Sequence, residues 1–169
     1  LPDSNADEHP TGLWDVRTHK VIALLDGEIV DFGKPVFTRN SFFSPDSQLV
    51  ATAENQTIWV WNAKTGNVYD KLTLKSQGRV WGVSFSPTGH SLAIADFDGL
   101  ARVWKVGTRS AVTELRGHTA PVWSALFTPD GNSVLTSSED STARLWDVAS
   151  GTDSDTFPGK SPLRTAEFS

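Results

Sequence analysis

A histidine, two hydroxyls and an aspartate fall close together in one part of the chain. His118 stands in RGHTAPVW, and Thr136, Ser138 and Asp140 follow in VLTSSEDSTARLWD. These are the residue types of a nucleophilic triad. In such a triad an imidazole takes the proton of an attacking hydroxyl and a carboxylate orients the ring. The chemistry also requires an exposed nucleophile and donors for the oxyanion. No G-x-S-x-G turn occurs in the chain to present a serine in that way. The alternative is that the same groups are buried and hydrogen-bonded to one another to hold a fold together.

Other reactive-looking groups are sparse. Asp96-Phe97-Asp98 has the carboxylates of a cation site, but Asp98 reads better as a turn residue and Asp96 as the end of a strand. Asn55-Gln56-Thr57 matches an N-glycosylation acceptor, yet it fills the slot of Asp140-Ser141-Thr142, which makes Asn55 a turn residue in place of Asp. His9, His19 and His90 lie in polar contexts, and no two have metal-ligand spacing. The glycines sit at turns and form no phosphate loop. No metal and no cofactor are expected.

The elements that must position His118 and Asp140 are repetitive. Phe43, Phe85, Phe127 and Phe168 each end a short apolar stretch, at steps of 42, 42 and 41 residues. Such a period marks supersecondary units stacked on their neighbours. Within one unit, the stretch up to Phe127 is a strand and Pro129-Asp130-Gly131 a turn. SVLTSS is a second strand, Glu139-Asp140-Ser141 a bend, TARLWDV a third strand and TDSDTF a fourth. No 3.6-residue period is sustained, so the chain reads as all-β, in four-stranded antiparallel units.

Gly117-His118, Asp140-x-Thr142 and Leu145-Trp146-Asp147 together resemble one complete WD-repeat β-propeller unit. The likeness runs along essentially the whole chain, through Trp14-Asp15, Trp61-Asn62 and Trp104-Lys105. It implies a propeller of about four repeats. Residues 36–74, 78–116 and 120–158 form three blades, 11–25 the last strands of a split blade and 162–169 its first strand. It also implies a structural tetrad of His118, Thr136, Asp140 and Trp146, with the carboxylate on the ring, the hydroxyl linked to the ring and the indole N–H on a buried acceptor. At the same spacing the middle repeat offers Ser76, Ile94, Asp98 and Trp104, and the first, allowing for a turn one residue shorter, Lys34, Ala51, Asn55 and Trp61. Trp is present in all three, but the His with its hydroxyl in only one, which suits a lock that some blades lack and does not suit a catalytic set.

In that family the position four residues before the repeat Phe lines the rim of the central channel. Here it holds Arg39, Trp81, Trp123 and Arg164. Neighbouring slots on the same face hold Phe37, Arg79, Pro121 and Pro162, then Glu54, Phe97 and Glu139. Trp, Arg and Phe are the types enriched at interaction hot spots. The resemblance therefore implies a non-catalytic scaffold that binds a protein or peptide through Trp81, Trp123, Arg79, Arg39, Arg164, Phe97 and Glu139. A purely structural part of a larger assembly protein is the alternative. Trp59 takes the strand place of Arg102 and Arg144 and reads as a side contact.

Bulk composition, 38% hydrophobic and 21% charged, reads as one globular domain. Lys+Arg 15 against Asp+Glu 20 gives a net charge of −5 with no basic stripe, which argues against a nucleic-acid partner. No run approaches a membrane span. There is no Cys, and no signal segment appears, from which a cytoplasmic setting is expected. Asp26–Lys34 reads as an inter-blade connection. WD-repeat propellers usually have seven or eight blades. The complementary half-blades lead to the expectation that two chains pair into an eight-bladed homodimer, unless the chain is part of a longer propeller.

Overall fold

Each sequence period folds into an antiparallel meander because apolar β-formers alternate with residues that turn the chain. The computed structural model describes residues 12–15, 20–24, 41–75, 79–108 and 112–168. The first hairpin pairs β1 (Gly12–Asp15) with β2 (Lys20–Leu24). Blade 1 comprises β3 (Ser41–Phe43), β4 (Leu49–Glu54), β5 (Thr57–Asn62) and β6 (Val68–Thr73). Blade 2 comprises β7 (Val80–Phe85), β8 (Ser91–Asp96), β9 (Ala101–Lys105) and β10 (Val112–Leu115). Blade 3 comprises β11 (Val122–Phe127), β12 (Ser133–Ser138), β13 (Thr142–Asp147) and β14 (Asp153–Pro158). In each blade the four strands lie in sequence order and every pairing is antiparallel.

The core lies between blades. One cluster joins Ala51, Ile58, Val60 and Leu74 of blade 1 to Val83, Leu92, Ile94 and Trp104 of blade 2. A second joins Ala93, Ala101, Val103 and Leu115 of blade 2 to Val122, Ala125, Val134 and Trp146 of blade 3. Strands buried on both faces explain why β8 and β12 are almost wholly buried. The inner strands approach closely enough that a Cβ on Gly82 would stand 3.0 Å from the carbonyl oxygen of Trp123, so a side chain there would press on the backbone of β11.

The expected first strand of the split blade, 162–169, has no ladder among the described residues. Residues 162–168 form no strand. A strand exists through its ladder, and among the described residues none runs beside this segment. It is instead tied to blade 3, where the Leu163 N–H donates to the Ser138 carbonyl at 2.9 Å and the Gly159 N–H to the Ser141 carbonyl at 2.7 Å. The split blade therefore has two strands, β1 and β2, among the described residues. Arg39, Phe37, Ser76 and all of Asp26–Lys34 lie outside the described residues, as does the segment 36–40 expected to begin repeat 1.

Candidate functional site

The β12–β13 bend, Glu139-Asp140-Ser141, aims Asp140 at the loop before β11. Ser141 reaches φ 68°, and the Ser141 N–H donates to the Ser138 carbonyl to close the bend. His118 Nδ1 lies 2.8 Å from Asp140 Oδ2, and Nε2 lies 2.7 Å from Thr136 Oγ1. The Trp146 indole N–H donates to that same Thr136 oxygen at 2.8 Å. One arrangement satisfies every group: Trp146 donates to Thr136, the Thr136 hydroxyl to His118 Nε2, and His118 Nδ1–H to Asp140. This arrangement requires a neutral ring. Burial lowers the His118 pKa below that of a free imidazole, against the opposing pull of Asp140. Burial also resists ionisation of Asp140. The Thr142 hydroxyl, the His118 ring and the backbone N–H groups of Thr119 and Thr142 outweigh it and hold this carboxyl well below the usual range.

This geometry is that of a buried polar chain. Thr136 is fully buried and its oxygen is already engaged by Trp146 and His118. Ser138, also fully buried, donates to the Pro121 carbonyl at 2.9 Å and accepts from the Asp140 N–H. Neither hydroxyl is available to attack a substrate.

Blades 1 and 2 stabilise the same place differently. In blade 1 the Trp61 indole donates to Thr52 at 2.9 Å, which corrects the assignment of that slot to Ala51. The β4–β5 turn, Asn55-Gln56, is one residue shorter than Glu139-Asp140-Ser141, so the facing hydroxyl moves one position closer to the Trp. Trp59 stacks on Trp61 with centroids 5.7 Å apart, and the Lys71 ammonium lies 3.9 Å above Trp59. In blade 2 the hydroxyl slot is Ile94, and the buried Trp104 indole N–H has no partner among the described residues. Asp96, fully buried, pairs with Arg102 and accepts from the Asp98 N–H at 3.0 Å and the Leu100 N–H at 3.1 Å. Asp96, the last residue of β8, therefore caps this turn from the strand end, with Asp98 inside the turn. Sequence reading missed Thr52, Asp96 and Arg102. The turn length signalled the first, and an Asp and an Arg flanking Phe97-Asp98-Gly99-Leu100 signalled the others.

The residues expected at the rim form a continuous series of contacts. Trp81 on β7 and Trp123 on β11 meet with centroids 4.8 Å apart, tilted by 57°, across the boundary of blades 2 and 3. Phe97, in the β8–β9 turn, lies 6.4 Å from Trp81 and is 50% exposed. Its N–H donates to the Arg79 carbonyl at 3.0 Å, fixing that turn against the residue before β7. The Trp123 indole donates to Glu139 at 2.7 Å, and the Arg164 guanidinium lies 5.4 Å from the centre of the Trp123 ring. Six of the seven predicted face residues are thus brought together, and Arg39 lies outside the described residues. The tetrad approaches the same end of blade 3 through the bend that carries Glu139 beside Asp140. Among the described residues no group of His, Asp and Glu could hold a metal ion.

Residues 34–62, 69–105 and 109–147 match the WD domain, G-beta repeat. The sequence is 31% identical over 130 residues to the coronin-like protein of Saccharomyces cerevisiae, covering 69% of this chain and 19% of the relative. It is 33% identical over 93 residues to periodic tryptophan protein 2 of Arabidopsis thaliana, covering 54% and 10%. To protein transport protein sec13 of Emericella nidulans it is 27% identical over 103 residues, covering 57% and 33%. The chain spans a third or less of the length of each. With three matched repeats over more than half of the sequence, each folded as a four-stranded antiparallel meander, the chain belongs to the WD-repeat family of β-propellers.

Proposed function

We propose that this chain is a non-catalytic interaction scaffold presenting the Trp81–Trp123 rim to a protein or peptide partner. The observation that carries the reading is the unbroken series Phe97, Trp81, Trp123 and Arg164, which crosses from blade 2 to blade 3 and onward. Exposed aromatic and arginine groups held in fixed relative positions lose little conformational freedom on binding and contribute much contact area. Family membership supports an assembly role, since WD-repeat chains are generally scaffolds without chemistry of their own. The engaged, buried hydroxyls of Thr136 and Ser138 support the same side of the question.

A photo-crosslinking amino acid at position 97 tests the reading, with position 69 as control because Tyr69 is 57% exposed on an outer strand. Adducts with a partner should form from position 97 and not from 69. Adducts from 69 alone would make the rim a packing feature of a purely structural module.

Completion of the ring is a further part of the proposal. A sheet of two strands is marginally stable by itself, and β1–β2 has two among the described residues. We assign the missing strands to a second copy, giving a twofold ring of about eight blades. Light scattering should return twice the chain mass. A monomer at micromolar concentration would reject this pairing and favour completion by further propeller sequence.

A further inference from the structure

The rim also indicates what kind of partner it takes. Five arginines lie among the described residues. Arg102 pairs with Asp96, Arg116 with Glu114 and Arg144 with Asp153. The other two, Arg79 and Arg164, are both exposed and belong to the rim, and neither side chain makes an ion pair or hydrogen bond to any described residue. The contrast separates the rim from the groove of about 400 Å³ between blades 1 and 2, where Arg102 and Arg116 are already neutralised by carboxylates of the chain. Glu139, the carboxylate beside Trp123, is engaged by the indole N–H.

Position adds direction to this charge. Arg79 lies two residues before Trp81, and its carbonyl anchors the Phe97 turn. Arg164 lies over the Trp123 ring at the other end of the series. A guanidinium held over an aromatic face is restrained, yet its N–H edge remains free for a carboxylate. The aromatic stretch is thus bracketed by two cations whose donors lack a counter-ion among the described residues. An oriented Arg–carboxylate contact is stronger and more geometrically selective than a mobile surface pair.

We infer that the rim recognises an acidic peptide segment, in which an aromatic or aliphatic side chain packs on Phe97 and Trp81 while flanking carboxylates meet Arg79 and Arg164. This rests on the rim being the partner-binding face. The chain's net charge of −5 weakens long-range attraction of such a segment. Recognition therefore depends on the two local arginines, and affinity should fall with salt.

A positional-scanning library of short acetylated, amidated peptides tests the inference. Each peptide carries one fixed Phe whose neighbours are Asp/Glu, Asn/Gln or Lys/Arg. The full chain is compared with R79Q/R164Q, which alters only exposed side chains, and with F97A, which removes a half-exposed ring without opening the core. The acidic set should be retained best by the wild type, and R79Q/R164Q should lose about tenfold on that set while leaving the amide set unchanged. Equal or stronger retention of the amide or basic sets, weakened by F97A, would overturn the acidic partner and leave the rim standing as a binding face. Retention of no set above F97A would overturn both.

Discussion

At the scale of single residues, Thr136 is the junction of the blade 3 network, because its one oxygen serves both the Trp146 indole and the His118 ring. Valine has nearly the same shape and neither bond. Thr136→Val should therefore cost about 2 kcal/mol, and Thr52→Val, which strands only the Trp61 indole, about 1 kcal/mol. Chemical denaturation of the two variants checks the ratio. His118 gives a pH signature. Its folded pKa is lowered by burial, so the unfolded chain binds the proton more readily. Stability from this residue is then complete above the ordinary imidazole value of ~6.5 and falls as pH drops below it. His118→Asn should be less stable at neutral pH and flatter on acidification. Parallel curves for the two proteins would contradict the neutral-ring assignment.

At the scale of elements, the three blades share a backbone and differ in what ties the third strand to the second. Blade 2 uses the buried Asp96–Arg102 pair. Asp96→Asn keeps an acceptor for the turn amides and leaves the Arg102 charge uncompensated in a buried site. It should cost about 3 kcal/mol, against about 0.5 kcal/mol for Asp153→Asn, whose pair with Arg144 is better solvated. The turn between first and second strands is another comparison. Gly89 and Gly131 occupy it at φ 74° and 75°, whereas blade 1 places Ser47 there at φ 58°. Ser47→Gly should relieve strain and raise stability by about 1 kcal/mol, measurable as a higher denaturation midpoint.

These contrasts also mark what could be read from sequence. The blades were legible because Trp61, Trp104 and Trp146 and the Phe positions keep one period, and strand alternation follows locally from residue type. The tetrad residues could be named because blade 3 keeps the full spacing. Thr52 was missed because one residue fewer in the Asn55-Gln56 turn shifts the register of every facing pair. Asp96 was missed because its partner, Arg102, becomes a neighbour only once β8 and β9 pair. Residues 162–168 carry an apolar pattern suited to a strand, but a ladder is a non-local property and pattern alone does not supply it.

At the scale of the whole molecule, frame and face are separate. Polar networks between the strands hold each blade, apolar clusters join blade to blade, and the Trp81–Trp123 series across two blades is the face proposed for a partner. The rim series exists only because blades 2 and 3 pack, since Trp81 and Trp123 come from different sheets. Substitutions in the frame should therefore act through the folded fraction, and substitutions on the face should act on binding at constant stability. The most direct measurement is calorimetric titration of the best-retained library peptide into His118→Ala and Phe97→Ala, with thermal unfolding of both in parallel. His118→Ala should unfold at a lower temperature and, while folded, bind as the wild type does. Phe97→Ala should unfold as the wild type does and bind at least several-fold more weakly. Lost affinity in His118→Ala with no loss of stability would contradict the account, because the tetrad would then be part of the working surface.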